Sequence, residues 1–240
     1  MPVYQDGLLG WLARFVANRG LSLALVAAVV IVDFTIPWQG MSFVPRALVD
    51  ESCAVATALV VLGALTRFRR APPDPKFGWS MLTLSILIDA DHLPFEFGSS
   101  VLTAGTPRPY FHALWTVMVL IVATVAARYW SRRAKTRASS AAVDIVAGAA
   151  WGISAHFLRD VATASISLWW PVTKAAVEVP YWWYVLTLLA IIAIPSARSG
   201  VNAVDHRSMP QLQTSIQKRR PVWTGEYSLK EPEQEVTPCA

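Results

Sequence analysis

Residues 143–160 read VDIVAGAAWGISAHFLRD, a long apolar run with a histidine and acidic residues near its end. Six apolar runs follow one another along the chain, at 21–38, 52–66, 77–94, 112–127, 143–170 and 180–194. Several of them are slightly shorter than the roughly 20 residues that a helix needs to span a bilayer. The succession nevertheless predicts an all-α, polytopic membrane bundle of about six transmembrane helices.

The composition supports a membrane protein over the other classes. Of the 240 residues, 54% are hydrophobic and 15% are charged, and the mean hydropathy is +0.41. An ordinary soluble domain has about 25% charged residues. A soluble domain and a largely disordered chain are therefore excluded. With 12 Gly and 2 Cys, collagen-like and disulfide-rich scaffolds are excluded as well.

Three segments differ in their polarity and predict the domain organisation. Residues 1–20 contain apolar side chains at helical spacing and predict an N-terminal interfacial segment. Residues 21–198 contain the apolar runs and form the predicted transmembrane domain. Residues 199–240 are polar and rich in charge, and we expect a disordered cytoplasmic tail.

Basic residues are distributed unevenly between the two ends of the predicted spans. With the N-terminus in the cytoplasm, twelve Lys and Arg up to residue 200 fall on the cytoplasmic side and four on the outer side. The positive-inside rule then predicts cytoplasmic N- and C-termini in the cytoplasmic (plasma) membrane. The same asymmetry accounts for the net charge of +5, so we expect the lipid bilayer and no nucleic acid as a partner.

A set of histidines and aspartates collects at the predicted outer ends of three successive runs. The set comprises Asp89, Asp91, His92, His112, His156 and Asp160. The last two are four residues apart, which places them on one face of a helix. Ionisable groups inside a membrane protein are costly unless they are paired or bind an ion. We therefore predict a divalent metal site, with zinc as the first expectation and iron or manganese as alternatives.

Structural interpretations of the same residues stay open at this stage. Parts of the set would also serve as helix-end acids or as a hydrogen-bonded histidine–aspartate pair. Asp33 has three interpretations, as an ion site, a helix cap or a partner of Arg46. Arg159 would neutralise the site, bind an anionic substrate or extend to lipid head groups. A transporter is disfavoured, because its ionisable residues should lie along a path near mid-membrane.

The order and spacing of these motifs resemble the bacterial YdjM-type membrane-bound metal-dependent hydrolases. That family carries Asp-x-Asp at a helix end, an HRGxTH-like segment opening the next helix, and then His-x-x-x-Asp. The matching residues are Asp89 and Asp91, Arg108 and His112, and His156 and Asp160, within roughly residues 48 to 195. The family is thought to be related to zinc phospholipase C and P1-type nucleases. The resemblance thus implies a hydrolase at the extracytoplasmic face, acting on a phosphoester or lipid-linked substrate.

The resemblance also implies roles for individual residues of the site. Asp91, His112, His156 and Asp160 would be the ligands, with Asp89 or His92 bridging or behind them. Glu51 is the expected general base, and Arg108 would stabilise an anionic transition state.

The HRGxTH-like segment departs from the family at Pro107, Pro109 and Phe111. The stretch 50–57, DESCAVAT, lacks a histidine that many relatives have, and Asp50 or Glu51 is available as an oxygen ligand instead. The alternative is a degenerate, non-catalytic membrane protein with a structural or scaffolding role.

Overall fold

The protein is helical throughout the residues that the computed structural model describes, which are 7–195 without 39, 70, 102–110 and 135. The side chains of residues 95, 96 and 137 are likewise not described. Within these residues the only paired extended backbone is an isolated antiparallel bridge between Ile166 and Val177. The predicted all-α class is confirmed. Arg108 and the predicted tail at 199–240 lie outside the described residues.

The helices follow one another with short connections. In chain order they are α1 (Leu8–Val16), α2 (Arg19–Thr35), α3 (Phe43–Arg69), α4 (Pro75–Leu87), the 3-10 helix η1 (Ile88–His92), α5 (Leu93–Glu96), α6 (Leu114–Ala134), α7 (Arg137–Thr163) and α8 (Tyr181–Ala193). Asn18, Asp74 and Thr136 cap α2, α4 and α7 with side-chain oxygens that accept backbone N–H groups. Such caps satisfy the otherwise unpaired first amides of a helix.

In the part of the chain that the structure describes, three helices are long and apolar enough to cross a membrane, namely α3, α6 and α7. Helices α1 and α2 add a fourth span if this pair, bent by 84°, is one broken span. Helices α4 and α8 have 13 residues each, about 20 Å of helix, whereas the hydrocarbon core is about 30 Å thick. A membrane protein with three to four candidate spans is therefore supported, and the count of six stays a prediction.

Helices α4 and α7 lie so close together that their backbones are in contact. A Cβ atom placed on Gly148 would lie 2.2 Å from the carbonyl oxygen of Phe77, and one on Gly152 would lie 2.1 Å from that of Met81. Glycines four residues apart allow two helix backbones to touch in this way. The two helices run in the same direction, because each contact advances by four residues on both of them.

The N-terminal segment also packs on this bundle. Helix α1 buries Leu9, Ala13 and Val16 against α3 and α4. Its last turn lies directly on α3, where a Cβ atom on Gly63 would lie 2.2 Å from the carbonyl oxygen of Val16. The segment predicted to lie in the membrane interface is thus helical and has its own packing face on the bundle.

The helix within the fifth apolar run ends before the run itself does. Helix α7 stops at Thr163, and residues 164–180 continue as an irregular loop that contains the Ile166–Val177 bridge. The amide of Leu114 donates to the carbonyl oxygen of Leu168 at 2.9 Å, which ties this loop to the beginning of α6. That contact fixes the segment just before α6, where His112 lies.

Candidate metal centre

Four side chains from three parts of the chain converge at one end of the α4–α7 pair. Asp89 lies in η1, directly after α4, and His112 lies two residues before α6. His156 and Asp160 lie on successive turns near the end of α7. The two histidines and Asp160 are each 1% exposed, and the side chain of Asp89 is 18% exposed. We call these four residues the metal cluster.

The ligand atoms of the metal cluster all lie within 4.8 Å of one another. The Nε2 atom of His112 is 2.8 Å from Asp89 Oδ1 and 3.2 Å from Asp160 Oδ2. The Nε2 atom of His156 is 3.2 Å from each of the same two oxygens. Tetrahedral zinc places its nitrogen and oxygen ligands about 3.3 Å apart. A buried group of two imidazoles and two carboxylates that could hold a metal ion is therefore present.

The ring of His156 is oriented by the backbone of α4. Its Nδ1 atom lies 2.7 Å from the carbonyl oxygen of Ser85. A carbonyl oxygen only accepts, so Nδ1 carries the hydrogen and donates it. In the neutral ring, Nε2 then carries a lone pair, which faces two carboxylate oxygens. Metal-ligating histidines usually have this kind of second contact.

The contact with Ser85 depends on the close packing of α4 and α7. Gly148, Gly152, His156 and Asp160 follow at intervals of four residues and share one face of α7. The first two meet the carbonyl oxygens of Phe77 and Met81, and His156 meets the next one in the same register. The sequence analysis missed this role of the glycines, although their spacing relative to His156 was a usable signal.

His112 is oriented by the other predicted aspartate. Its Nδ1 atom lies 3.5 Å from Oδ2 of Asp91, while its Nε2 atom faces the metal cluster. Asp89 thus meets both histidines of the metal cluster. Asp91, His92 and His112 form a second group whose ligand atoms lie within 4.8 Å of one another and could hold a metal ion. Residues two apart in a 3-10 helix point about 120° from each other, so the two aspartates cannot share one direction.

Carboxylates control the protonation of the cluster residues that lie between α4 and α6, outside the candidate spans. Burial alone would lower the pKa of His112, but hydrogen bonds to Asp160, Asp89 and Asp91 hold that pKa well above its usual value. Burial would raise the pKa of Asp89, whereas its hydrogen bond with His112 and the nearby imidazole of His156 hold that pKa well below its usual value. This environment stabilises a positive charge among the carboxylates.

Two further predicted residues lie beside the metal cluster. Glu51 reaches it from α3, where its carboxyl group lies near Asp89, and its Oε2 atom is buried without a hydrogen-bond partner among the described residues. His92 lies at the more exposed edge, with Nε2 3.8 Å from Asp89 Oδ1 and 3.9 Å from Asp91 Oδ1. Its ring meets that of His112 edge-on, with centroids 5.0 Å apart.

Arg159 is buried, with 2% of its surface exposed, and does not extend to the head groups. It forms ion pairs with Asp50 of α3 and, at 2.7 Å, with Asp33 of α2. Asp33 also accepts a 2.7 Å hydrogen bond from the hydroxyl of Tyr181. We call Arg159, Asp33, Asp50 and Tyr181 the arginine hub. Of the interpretations of Asp33, a pairing is observed, and its partner is an arginine far away in the chain.

The chain matches no protein-family model, no curated protein and no solved structure.

Proposed function

We propose that the protein is a membrane-bound, metal-dependent hydrolase whose active site is the metal cluster. The observation that carries this proposal is the environment of His156 Nε2. The hydrogen on Nδ1 leaves a lone pair at Nε2, and two carboxylate oxygens lie 3.2 Å from it. In the neutral ring, this lone pair and the negative oxygens repel each other unless a proton or a metal ion lies between them. A divalent ion would satisfy both histidines and both aspartates at once.

The donor set favours zinc, with iron or manganese as alternatives. Imidazole nitrogen is a preferred zinc ligand, and carboxylate oxygen completes many catalytic zinc sites. The cluster, the hub and the adjacent Glu51 and Asp91 together bring six carboxyl groups and the guanidinium group of Arg159 into one region. A bound divalent cation would offset part of this negative charge.

The surrounding side chains suit hydrolysis. When bound, the metal would supply a water of lowered pKa and a Lewis acid for the substrate. Glu51 would accept a proton, because its carboxyl group faces Asp89 from a separate helix and keeps one oxygen without a partner. Asp91 and the Ser85 carbonyl would hold the two imidazoles in orientation. Arg108 retains its proposed role at an anionic transition state.

The helix polarity supports an extracytoplasmic site. Helix α3 carries Glu51 near its beginning and Arg67 and Arg69 at its end. Helix α6 begins just after His112 and ends with Arg132 and Arg133. Each thus has cluster residues at one end and basic residues at the other. With cytoplasmic termini and about six spans in the plasma membrane, the positive-inside rule directs the site outward.

The proposed substrate is a phosphoester or a lipid-linked compound. This follows from the resemblance to the YdjM-type hydrolases and their suggested relation to phosphodiester-cleaving zinc enzymes. A site at the outer membrane surface would meet lipid head groups and envelope intermediates directly. The bilayer is the expected partner, and nucleic acid is not.

The first test is the metal content of the detergent-purified full-length protein, measured by mass spectrometry. We expect near-stoichiometric zinc, iron or manganese in the wild type and none in a His156→Ala/Asp160→Ala double variant. Asp144→Ala is the matched control, since it removes a carboxylate from the opposite end of the same helix. Size-exclusion profiles would show that each variant is folded. Absence of metal from the wild type, even after reconstitution, would refute the hydrolase proposal.

The second candidate function is the non-catalytic, degenerate membrane protein. The 2.8 Å hydrogen bond between His112 Nε2 and Asp89 Oδ1 favours it, because a proton would satisfy that pair without a metal. Metal-loaded protein that cleaves neither soluble aryl phosphoesters nor phospholipid vesicles would support this alternative. Turnover that disappears in a Glu51→Gln variant with unchanged metal content would exclude it and support the predicted general base.

A further inference from the structure

The arginine hub is adjacent in sequence to Asp160 of the metal cluster and to Glu51, which lies beside the cluster. Asp50 precedes Glu51 on α3, and Arg159 precedes Asp160 on α7. The Nη1 atom of Arg159 donates to Oδ1 of Asp50, so an ion pair joins the two helices beside the site. Its other nitrogen, Nη2, donates to Asp33 on α2.

We propose that the Arg159–Asp50 ion pair positions Asp160 as a metal ligand and Glu51 beside the metal cluster, an inference that rests on the proposed function. The pair acts through its neighbours, so both are positioning residues. Adjacent helical residues are separated by a rise of about 1.5 Å, so fixing one residue fixes the next almost as tightly. The ion pair therefore sets both the rotation and the axial position of α3 relative to α7 where Glu51 meets the cluster.

Metal binding is sensitive to such a constraint. Ligand distances must be correct to about 0.2 Å, whereas packed apolar helices tolerate larger displacements. The close packing of α4 and α7 already orients His156, through the contact of its ring with the Ser85 carbonyl oxygen. Between α3 and α7 the ion pair supplies a directional contact. A planar guanidinium with two occupied nitrogens is well suited to hold such a geometry.

The two carboxylates of the hub differ in what lies next to them. Asp50 is adjacent to Glu51 and is 25% exposed. Asp33 is 6% exposed, and its other contact is Tyr181, which leads to α8 and away from the metal cluster. Substitution of either aspartate removes one of the two ion pairs of the same guanidinium group. Only the Asp50 substitution releases the helix that presents Glu51.

The test compares Asp50→Asn with Asp33→Asn in the full-length, detergent-purified protein. Each is titrated with Co²⁺ as a probe, and both the dissociation constant and the visible absorption spectrum of the bound ion are recorded. We expect Asp50→Asn to weaken Co²⁺ binding by about tenfold or more and to change the spectrum, as orienting partners do. Asp33→Asn should keep the wild-type spectrum and lose less affinity. The thermal unfolding of both variants is also measured without metal, because it reports any general loss of stability separately from a displacement of the metal ligands.

Each outcome has a distinct meaning. Equal Co²⁺ affinities and spectra for Asp50→Asn and the wild type would overturn the positioning role and leave the proposed metal site intact. Equal losses in both variants would also overturn it, because the hub would then act only on stability. Failure of the wild type to bind Co²⁺ would overturn the metal site and this inference together. If Asp50→Asn does not fold, Arg159→Lys takes its place, with an altered spectrum expected and an unchanged one contradicting the role.

Discussion

The metal cluster and the arginine hub are neighbouring groups of buried ionisable residues with different ways of balancing charge. The hub contains its own cation, because Arg159 pairs directly with Asp33 and Asp50. The cluster has a protonated Nδ1 atom on His156 and two aspartates around the opposite nitrogen, and it depends on a proton or a metal ion. The hub is thus a structural unit of fixed charge, whereas the cluster is a site that an external cation can enter.

The largest expected effect comes from removing the cation of the hub. Arg159→Met would leave the buried carboxylate of Asp33 and the partly exposed one of Asp50 without their partner. We expect a loss of about 3–5 kcal/mol in the free energy of unfolding. The measurement is denaturant unfolding in detergent with and without metal. Arg132→Met on the exposed side of α6 is the control. A loss no larger than that of the control would contradict the view that the hub balances its own charge.

The next effect is removal of metal from the cluster. A ligand present at 100 times its dissociation constant stabilises the folded state by about 2.7 kcal/mol. We expect Zn²⁺ to raise the thermal midpoint of the wild type and a chelator to lower it. The His156→Ala/Asp160→Ala variant should respond to neither. An equal response in that variant would assign the ion to another site.

A smaller effect should follow when the helix contact that supports His156 is widened. Gly152→Ala would place a Cβ atom 2.1 Å from the carbonyl oxygen of Met81, so α7 must move away from α4. We expect about 1–3 kcal/mol of destabilisation and weaker metal binding, because the contact of His156 with Ser85 would also lengthen. Ala142→Ser on the exposed face of the same helix is the control. Unchanged metal affinity in Gly152→Ala would show that the glycine contact does not support the metal site.

The smallest effect is expected at the edge of the hub. Tyr181→Phe removes the hydroxyl that donates to Asp33, and a single hydrogen bond contributes about 1 kcal/mol. We expect a small decrease in the thermal midpoint and no change in metal affinity. A clear loss of metal affinity would mean that the two groups are more closely coupled than their contacts indicate.

Much of the candidate site was predictable because its residues follow local rules. Histidine and aspartate four residues apart on an apolar helix must share a face, so His156 and Asp160 were identified without tertiary information. The closeness of His112 and Asp89 followed from the expectation that successive helix ends meet on one side of the membrane. The contacts of Asp91 and Asp89 were less predictable, since their directions depend on where α4 changes into the 3-10 helix.

The apolar composition and the repeated runs are sufficient to identify a helical membrane protein, because burial of apolar surface dominates and is read directly from residue type. Helix lengths were less predictable from the sequence, and α4 and α8 are shorter than the apolar runs with which they overlap. Contacts between distant residues depended on packing. Arg159 joins Asp33 across 126 positions, and the Ser85 carbonyl reaches His156 across 71. Such pairings arise only when helices with a particular register pack together, and no local feature of the chain specifies that register.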